Sequence, residues 1–110
     1  MIFNDKVNVT LKEKRTVNGT VTTVTVFQGD VPAIVTFLDS AIKFDPAGGK
    51  ISSRLQIVLS PFAFEIPPVP ASGLVVLTYR QFTSLAIDGW VEPHYQNARL
   101  HHYEIIAKAV

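Results

Sequence analysis

The sequence contains no cysteine, few charged residues and no long apolar run, and each absence excludes a class of protein. Without cysteine there is no disulfide, no thiolate catalysis and no cysteine-ligated zinc site. Charged residues make up 17% of the chain and the formal net charge is +1, which argues against binding driven by nucleic-acid or membrane charge. The apolar runs are far shorter than the roughly 20 residues that span a bilayer, so we expect no membrane partner.

The first residues, MIFNDKVNVT, show no basic region followed by an apolar stretch. We therefore expect no secretory signal, and the lack of cysteine suits a reducing cytosol. Hydrophobic residues make up 47% of the 110 residues, which indicates a folded chain with one modest core. The length predicts a single domain, residues 1–110.

Alternation of apolar and polar residues predicts strands along most of the chain. Val7, Val9 and Leu11 fall on one face of the first predicted strand, and Asn18-Gly19 predicts a hairpin turn after it. Gly29-Asp30 is expected to end the second strand. Further strands are predicted for VPAIVTFLDS, RLQIVLS and GLVVLTY.

The C-terminal part predicts a tight hairpin around Asp88-Gly89 and then a segment, ARLHHYEIIAKAV, that fits two patterns. This segment alternates as a strand and also keeps helical spacing; its aromatic and β-branched residues favour a strand. The predicted fold is therefore all-β: a small barrel or sandwich of six to seven short, mostly antiparallel strands. Long loops are expected at about 39–53 and 60–73.

Three histidines and two glutamates near the C-terminus are candidate metal ligands: His94, His101, His102, Glu92 and Glu104. Their spacing does not match the helical pattern H-E-x-x-H. On a regular strand, His101 and His102 would point to opposite faces and could not share an ion. We therefore predict no metal site and no cofactor.

Motifs that mark enzymes are missing from the sequence. The serines lie in no nucleophile elbow, and most aspartates fall at predicted turns, which explains them without catalysis. The segment AGGK is not a complete phosphate-binding loop. The sequence predicts a protein without enzymatic activity and without catalytic residues.

The segment SPFAFEIPPVPASG combines apolar side chains with four prolines, so it is both stiff and hydrophobic. Two interpretations are open. The segment folds back and closes one end of the barrel, or it projects and docks on another subunit. In the second case the candidate interface residues are Phe62, Phe64, Ile66 and Val69.

The order of these features resembles the head-to-tail joining proteins of long-tailed bacteriophages, the head-completion, connector or stopper proteins. The resemblance rests on VNVTLKEK, NGTVTTVTVF and VPAIVTFLDS, and on LAIDGWVEPHYQNARLHHYEIIAKAV at the C-terminal end. The segment SPFAFEIPPVPASG departs from the family pattern.

The resemblance implies a virion structural protein at the head–tail interface, assembled in the host cytoplasm. Copies would form a homo-oligomeric ring below the portal that closes the DNA-filled head, and its partners would be portal or adaptor proteins and tail proteins. The loops at 39–53 and 60–73 would make these contacts. Lys43 and Lys50 are candidates for non-specific contact with packaged DNA.

Other functions stay open from the sequence. A tail terminator or another phage ring component has the same sequence features. A small nucleic-acid-binding β-barrel is a second class, although the basic residues are scattered apart from KEKR at 12–15. A third class is a ligand-binding or enzymatic barrel that uses the histidine and glutamate group.

Overall fold

The computed structural model describes residues 2–45, 48–68, 70 and 73–109. Side chains are described for all of these residues except 39–53. Its described residues form six strands and no helix, hence no helix long and apolar enough to cross a membrane. In chain order the strands are β1 (Asp5–Val17), β2 (Thr20–Asp45), β3 (Gly48–Leu59), β4 (Val75–Tyr79), β5 (Phe82–Gln96) and β6 (Arg99–Ala109). The predicted all-β fold is confirmed, and the C-terminal segment is a strand.

The strands close into a barrel in the order β1-β2-β3-β6-β5-β4, with every neighbouring pair antiparallel. Closure depends on the five-residue strand β4, which pairs with β5 on one side and with β1 on the other. The pairing of β4 with β1 runs from Asn8 opposite Thr78 to Leu11 opposite Val75. This closure decides between the barrel and the sandwich that the sequence left open.

The core fills the barrel with the inward side chains of each strand. Val7, Val9 and Leu11 are buried, as the alternation of β1 predicts. In the described part of β3, the alternation likewise buries Leu55, Ile57 and Leu59. The largest fully buried side chains are Tyr103, Leu55, Ile57, Leu59, Leu77, Leu85, Ile105, Val7, Val9, Val31 and Val91. A single apolar core of this kind is the main source of stability in a small domain.

Strand β2 continues through Gly29-Asp30, so the predicted break there is wrong. Gly29 pairs with Val9, and the ring of Phe27 covers it: a methyl group on Gly29 would lie 3.3 Å from Phe27 Cζ. An aromatic ring over a strand glycine replaces the packing that the glycine lacks. The glycine therefore remains in the strand.

Pro32 also lies inside β2, and the pairing explains why the strand tolerates it. Its carbonyl accepts a hydrogen bond from the Ser60 amide at 2.9 Å, just beyond the last residue of β3. The nitrogen of a strand residue points to the same side as its carbonyl, so the missing N–H faces the end of β3. No bond in the β1–β2 ladder depends on it.

The loop predicted at 39–53 is wrong: its described residues form a hairpin. β2 and β3 remain paired from Ala33 opposite Leu59 out to Asp45 opposite Gly48. The turn-forming residues around Asp45 and Gly48 therefore lie at the end of the hairpin only, and the segments on either side keep strand pairing. In the segment 60–73, predicted as a loop, the described residues form no strand: β3 ends at Leu59 and β4 begins at Val75.

The hairpin predicted at Asp88-Gly89 is a bulge inside β5. Ile87 pairs with Ala107 and Val91 with Ile105, so the same partner strand continues on both sides. Gly89 adopts a φ of 91°, which bulges and tight turns both require of a glycine. The local sequence signal is the same for the two structures, and pairing with β6 decides between them.

Two β-ribbons extend beyond the barrel. On β1, the β4 ladder ends at Leu11, while pairing with β2 continues to Val17 opposite Thr20. We call residues 13–24 the first ribbon; the predicted Asn18-Gly19 turn at its end is confirmed, with φ values of 52° and 78°. The second ribbon, residues 40–52, continues past the last β3–β6 pair, Ser53 opposite Ala109. No third strand pairs with either ribbon in the described ranges.

A side-chain contact reinforces closure between the start of β1 and the end of β4. The Tyr79 hydroxyl donates a hydrogen bond to Asp5 Oδ2, and the Lys6 amide donates one to Asp5 Oδ1 at 2.9 Å. The Tyr79 hydrogen bond, with that from Lys6, lowers the pKa of Asp5 below its ordinary value. The same bond to Asp5, with desolvation, raises the pKa of Tyr79.

This contact predicts a specific loss of stability in acid. Because folding lowers the pKa of Asp5, ionised Asp5 increases the free energy of unfolding at a pH above its unfolded-state pKa. This stabilisation is lost as the pH falls below about 4. In Tyr79→Phe, the urea midpoint should therefore fall less between pH 6 and pH 3 than in the wild type. Tyr95→Phe, at an exposed position, should behave as the wild type. Equal acid sensitivity of Tyr79→Phe and wild type would contradict the assignment.

Candidate functional site

The proline-rich segment packs back on the barrel, as the first of its two interpretations expected. Ile66 is only 4% exposed, and its amide donates a hydrogen bond to the Tyr103 hydroxyl at 3.2 Å. The Val91 amide donates to the Pro68 carbonyl at 2.9 Å. Burial raises the pKa of the Tyr103 hydroxyl, which keeps it protonated. The segment is therefore anchored to the barrel at two points.

The four candidate interface residues have different environments. Ile66 belongs to the core, and Phe62 is partly buried against Phe27 with ring centroids 4.9 Å apart. Phe64 also contacts Phe27, at 5.7 Å, but is 42% exposed. Val69 lies outside the described residues. Among the three described candidates, Phe64 has the most exposed side chain.

The predicted channel residues Lys43 and Lys50 are brought opposite each other by the backbone pairing of the second ribbon. Their side chains lie outside the described part of the structure. This pairing was not predicted from the sequence, because the segment 39–53 was expected to be a loop.

Further apolar surface lies where the barrel meets its ribbons. Phe37 and Leu38 are 55% and 46% exposed, next to the β-bulge at which β2 enters the second ribbon. Phe37 contacts Phe82 with ring centroids 5.7 Å apart. On the first ribbon, Val17 and Val21 are also exposed. Exposed apolar patches of this kind mark interaction surfaces.

A cluster of histidines and glutamates lies on the outer face of β5 and β6. His94 pairs with His102 across the strands, and Glu92 pairs with Glu104. The rings of His94 and His102 are stacked, with centroids 4.7 Å apart and planes at 7°. Glu104 reaches both: its Oε2 lies 3.1 Å from His94 Nε2, and its Oε1 lies 3.3 Å from His102 Nε2.

His101 joins this cluster because of a β-bulge. The register shifts between His94 and Tyr95, which pairs with Leu100, and leaves His101 as the extra residue of β6. Its Nδ1 lies 2.8 Å from Nδ1 of His102. The expectation that His101 and His102 point to opposite faces is therefore wrong, since a bulge interrupts the strict alternation of a strand.

A shallow groove of about 230 Å³ connects the cluster with the most exposed aromatic surface of β5. Trp90 is 70% exposed and lines this groove with Glu92 and Glu104. Trp90 follows the Gly89 bulge, which turns it to the outside while Val91 enters the core. The sequence indicated the histidines and glutamates as neighbours but could not predict the register that joins them.

Comparison with known proteins leaves the family open. No protein-family model matches the chain, and no curated protein matches it. The class that the fold defines is a small closed antiparallel β-barrel with two β-ribbons.

The different burial of Phe62 and Phe64 predicts different effects of the same substitution. Phe62→Ser should lower the free energy of unfolding by about 2–3 kcal/mol, because the side chain packs against the core and against Phe27. Phe64→Ser should lower it by less than about 1 kcal/mol, since much of the ring is in water. Urea unfolding followed by circular dichroism measures both. A larger loss for Phe64→Ser would show that the exposed ring is part of the core.

Proposed function

We propose that this protein is a ring-forming virion structural protein, a head-to-tail connector or stopper of a long-tailed phage, without enzymatic activity. The observation that carries the proposal is the pair of two-stranded ribbons that leave a closed barrel without a third strand in its described residues. The resemblance of the sequence to head-to-tail joining proteins supports the phage assignment.

The ribbons need partners for a physical reason. A two-stranded hairpin is at best marginally stable in water, and its outer edges carry unpaired N–H and C=O groups. The first ribbon has pairs from Glu13 opposite Val24 to Val17 opposite Thr20, about 17 Å of paired strand. The second has pairs from Ala41 opposite Ser52 to Asp45 opposite Gly48, about 17 Å. Pairing with another subunit would satisfy these edges.

The position of the ribbons favours a ring. Both belong to strand β2, whose 26 residues begin in the first ribbon and end in the second. A straight strand of that length would span about 85 Å. The longest dimension of the molecule is 46 Å, so β2 must bend. Each subunit thus has two different contact elements at opposite ends of one strand. Two different contact surfaces on each subunit join copies head to tail. The copies form a ring when the rotations between neighbours add up to a full turn.

In this function the exposed apolar residues at the base of the second ribbon, Phe37 and Leu38, contact the neighbouring subunit. Phe64 adds a second apolar contact for the neighbour or for the adjoining ring. The ring lies between the portal or adaptor proteins and the tail proteins. Lys43 and Lys50, in the second ribbon, make non-specific contact with the packaged DNA.

A nonsense mutation in the gene of a propagated phage tests the function. We expect electron microscopy of the lysate to show separate tails beside heads that lack them, some heads having lost their DNA. Complete particles would contradict the proposal. Tails of abnormal length would instead favour the tail-terminator alternative. Affinity for single-stranded DNA that falls steeply with salt, together with complete particles, would favour a nucleic-acid-binding barrel.

Complementation of this mutant tests the second ribbon. Ser40 and Ser53 are paired, so an Asn-Gly linker in place of residues 41–52 should close a two-residue hairpin and keep the register. This variant should fold, with a circular dichroism spectrum of β type, but should restore at least tenfold fewer joined particles than the wild type.

The matched control changes the other ribbon without shortening it. Aspartate tolerates the positive φ of this position as asparagine does, so Asn18→Asp keeps the turn. This variant should restore wild-type numbers of joined particles. Full restoration by the shortened variant would show that the second ribbon is not an assembly element.

A further inference from the structure

We propose that His94, His102 and Glu104 bind a divalent metal ion of the zinc type on the outer face of β5 and β6, with Glu92 as the fourth ligand. The sequence predicted no metal site, and the site does not depend on the proposed function. One ligand atom from each of His94, His102 and Glu104 can be chosen such that all lie within 4.8 Å of one another.

Two separations in the cluster are close to those around a tetrahedral ion, and each involves a different oxygen of Glu104. With metal–ligand bonds of about 2.0–2.1 Å, two ligands of a tetrahedral site lie about 3.3 Å apart. His94 Nε2 and Glu104 Oε2 are 3.1 Å apart, and His102 Nε2 and Glu104 Oε1 are 3.3 Å apart. Glu92 is outside the group of three whose ligand atoms lie within 4.8 Å of one another. Its Oε2 lies 3.6 Å from His94 Nε2, so the exposed Glu92 side chain would rotate to reach the fourth position.

The cross-strand pairing provides an independent argument for a bound cation. Glu92 lies directly opposite Glu104, and His94 lies directly opposite His102. Like charges directly opposite each other destabilise a sheet, whereas opposite charges there stabilise it. A divalent cation bound between the pairs would neutralise both carboxylates.

His101 contacts the ring nitrogen of His102 that would not bind the metal, as hydrogen-bond partners of metal-bound histidines do. Its Nδ1 contacts Nδ1 of His102, which leaves the opposite nitrogen of His102, Nε2, facing Glu104. The side chain of His102 is 11% exposed, and the ring of His94 stacks on it with planes at 7°. Because parallel rings do not direct their lone pairs to one point, the His94 ring, whose side chain is 43% exposed, must rotate when the ion binds.

The ligand types select the class of ion. Two imidazoles with carboxylates suit zinc, cobalt, nickel or copper, whereas calcium and magnesium prefer sites made of oxygen ligands alone. With Glu92 bound, all four positions of a tetrahedral ion would be filled by protein, as in structural zinc sites. The ion would then join β5 to β6 at the bulge and stabilise this hairpin.

The test uses the full chain without an affinity tag, stripped of metal by a chelator and titrated with zinc at pH 7.5. We expect one zinc per chain by calorimetry. The melting temperature should rise by about 10 °C when free zinc exceeds the dissociation constant 100-fold. Cobalt bound in place of zinc should give the visible absorption of a tetrahedral site. A chain that binds no zinc would overturn the proposal.

Variants at partly exposed positions avoid disturbing the core. Glu104→Gln and His94→Gln should each weaken zinc binding at least tenfold and reduce the rise in melting temperature. Glu65→Gln, a carboxylate change in the proline-rich segment, should bind as the wild type. If zinc binds Glu104→Gln and wild type equally, the ion lies elsewhere and the proposal is wrong.

Discussion

Closure of the sheet through the short strand β4 is the constraint on which the rest of the structure depends. Without it, β1 and β5 would present unpaired edges, and the core would be open between them. β4 has five residues and β1 has 13, so closure cannot cover the whole length of the longer strand. The first ribbon is the part of β1 and β2 that remains beyond β4. In the second ribbon, β2 and β3 remain paired beyond the last described β3–β6 pair, Ser53 opposite Ala109.

Irregular pairing then determines what the barrel presents on its surface. The bulge in β2 precedes the second ribbon and leaves Leu38 exposed beside it. The bulge at Gly89 turns Trp90 outward, and the bulge in β6 brings His101 against His102. Extra residues in one strand change the direction of side chains that regular alternation would fix. The candidate contact surfaces and the candidate metal site both depend on this effect.

Local sequence patterns gave correct predictions for strands and turns whose pairing is regular. The alternation in β1 and β3 predicted the buried residues, and Asn18-Gly19 predicted a turn that the structure contains. The same local signals failed where pairing overrode them. Gly29 stays in a strand under the ring of Phe27, and Asp88-Gly89 forms a bulge because β6 pairs on both sides. A glycine with positive φ has the same sequence signature in a bulge as in a turn.

The amino-acid sequence by itself determined that the chain is all-β, which faces of its strands are apolar, and that a stiff apolar segment joins β3 to β4. These properties follow from residue type and from the two-residue period of a strand. Only the tertiary structure decided that the sheet closes, that residues 40–52 extend as a ribbon, and that Glu104 lies between two histidines. The physical reason is that register and closure depend on pairing between distant strands, and a one-residue shift changes which side chains meet.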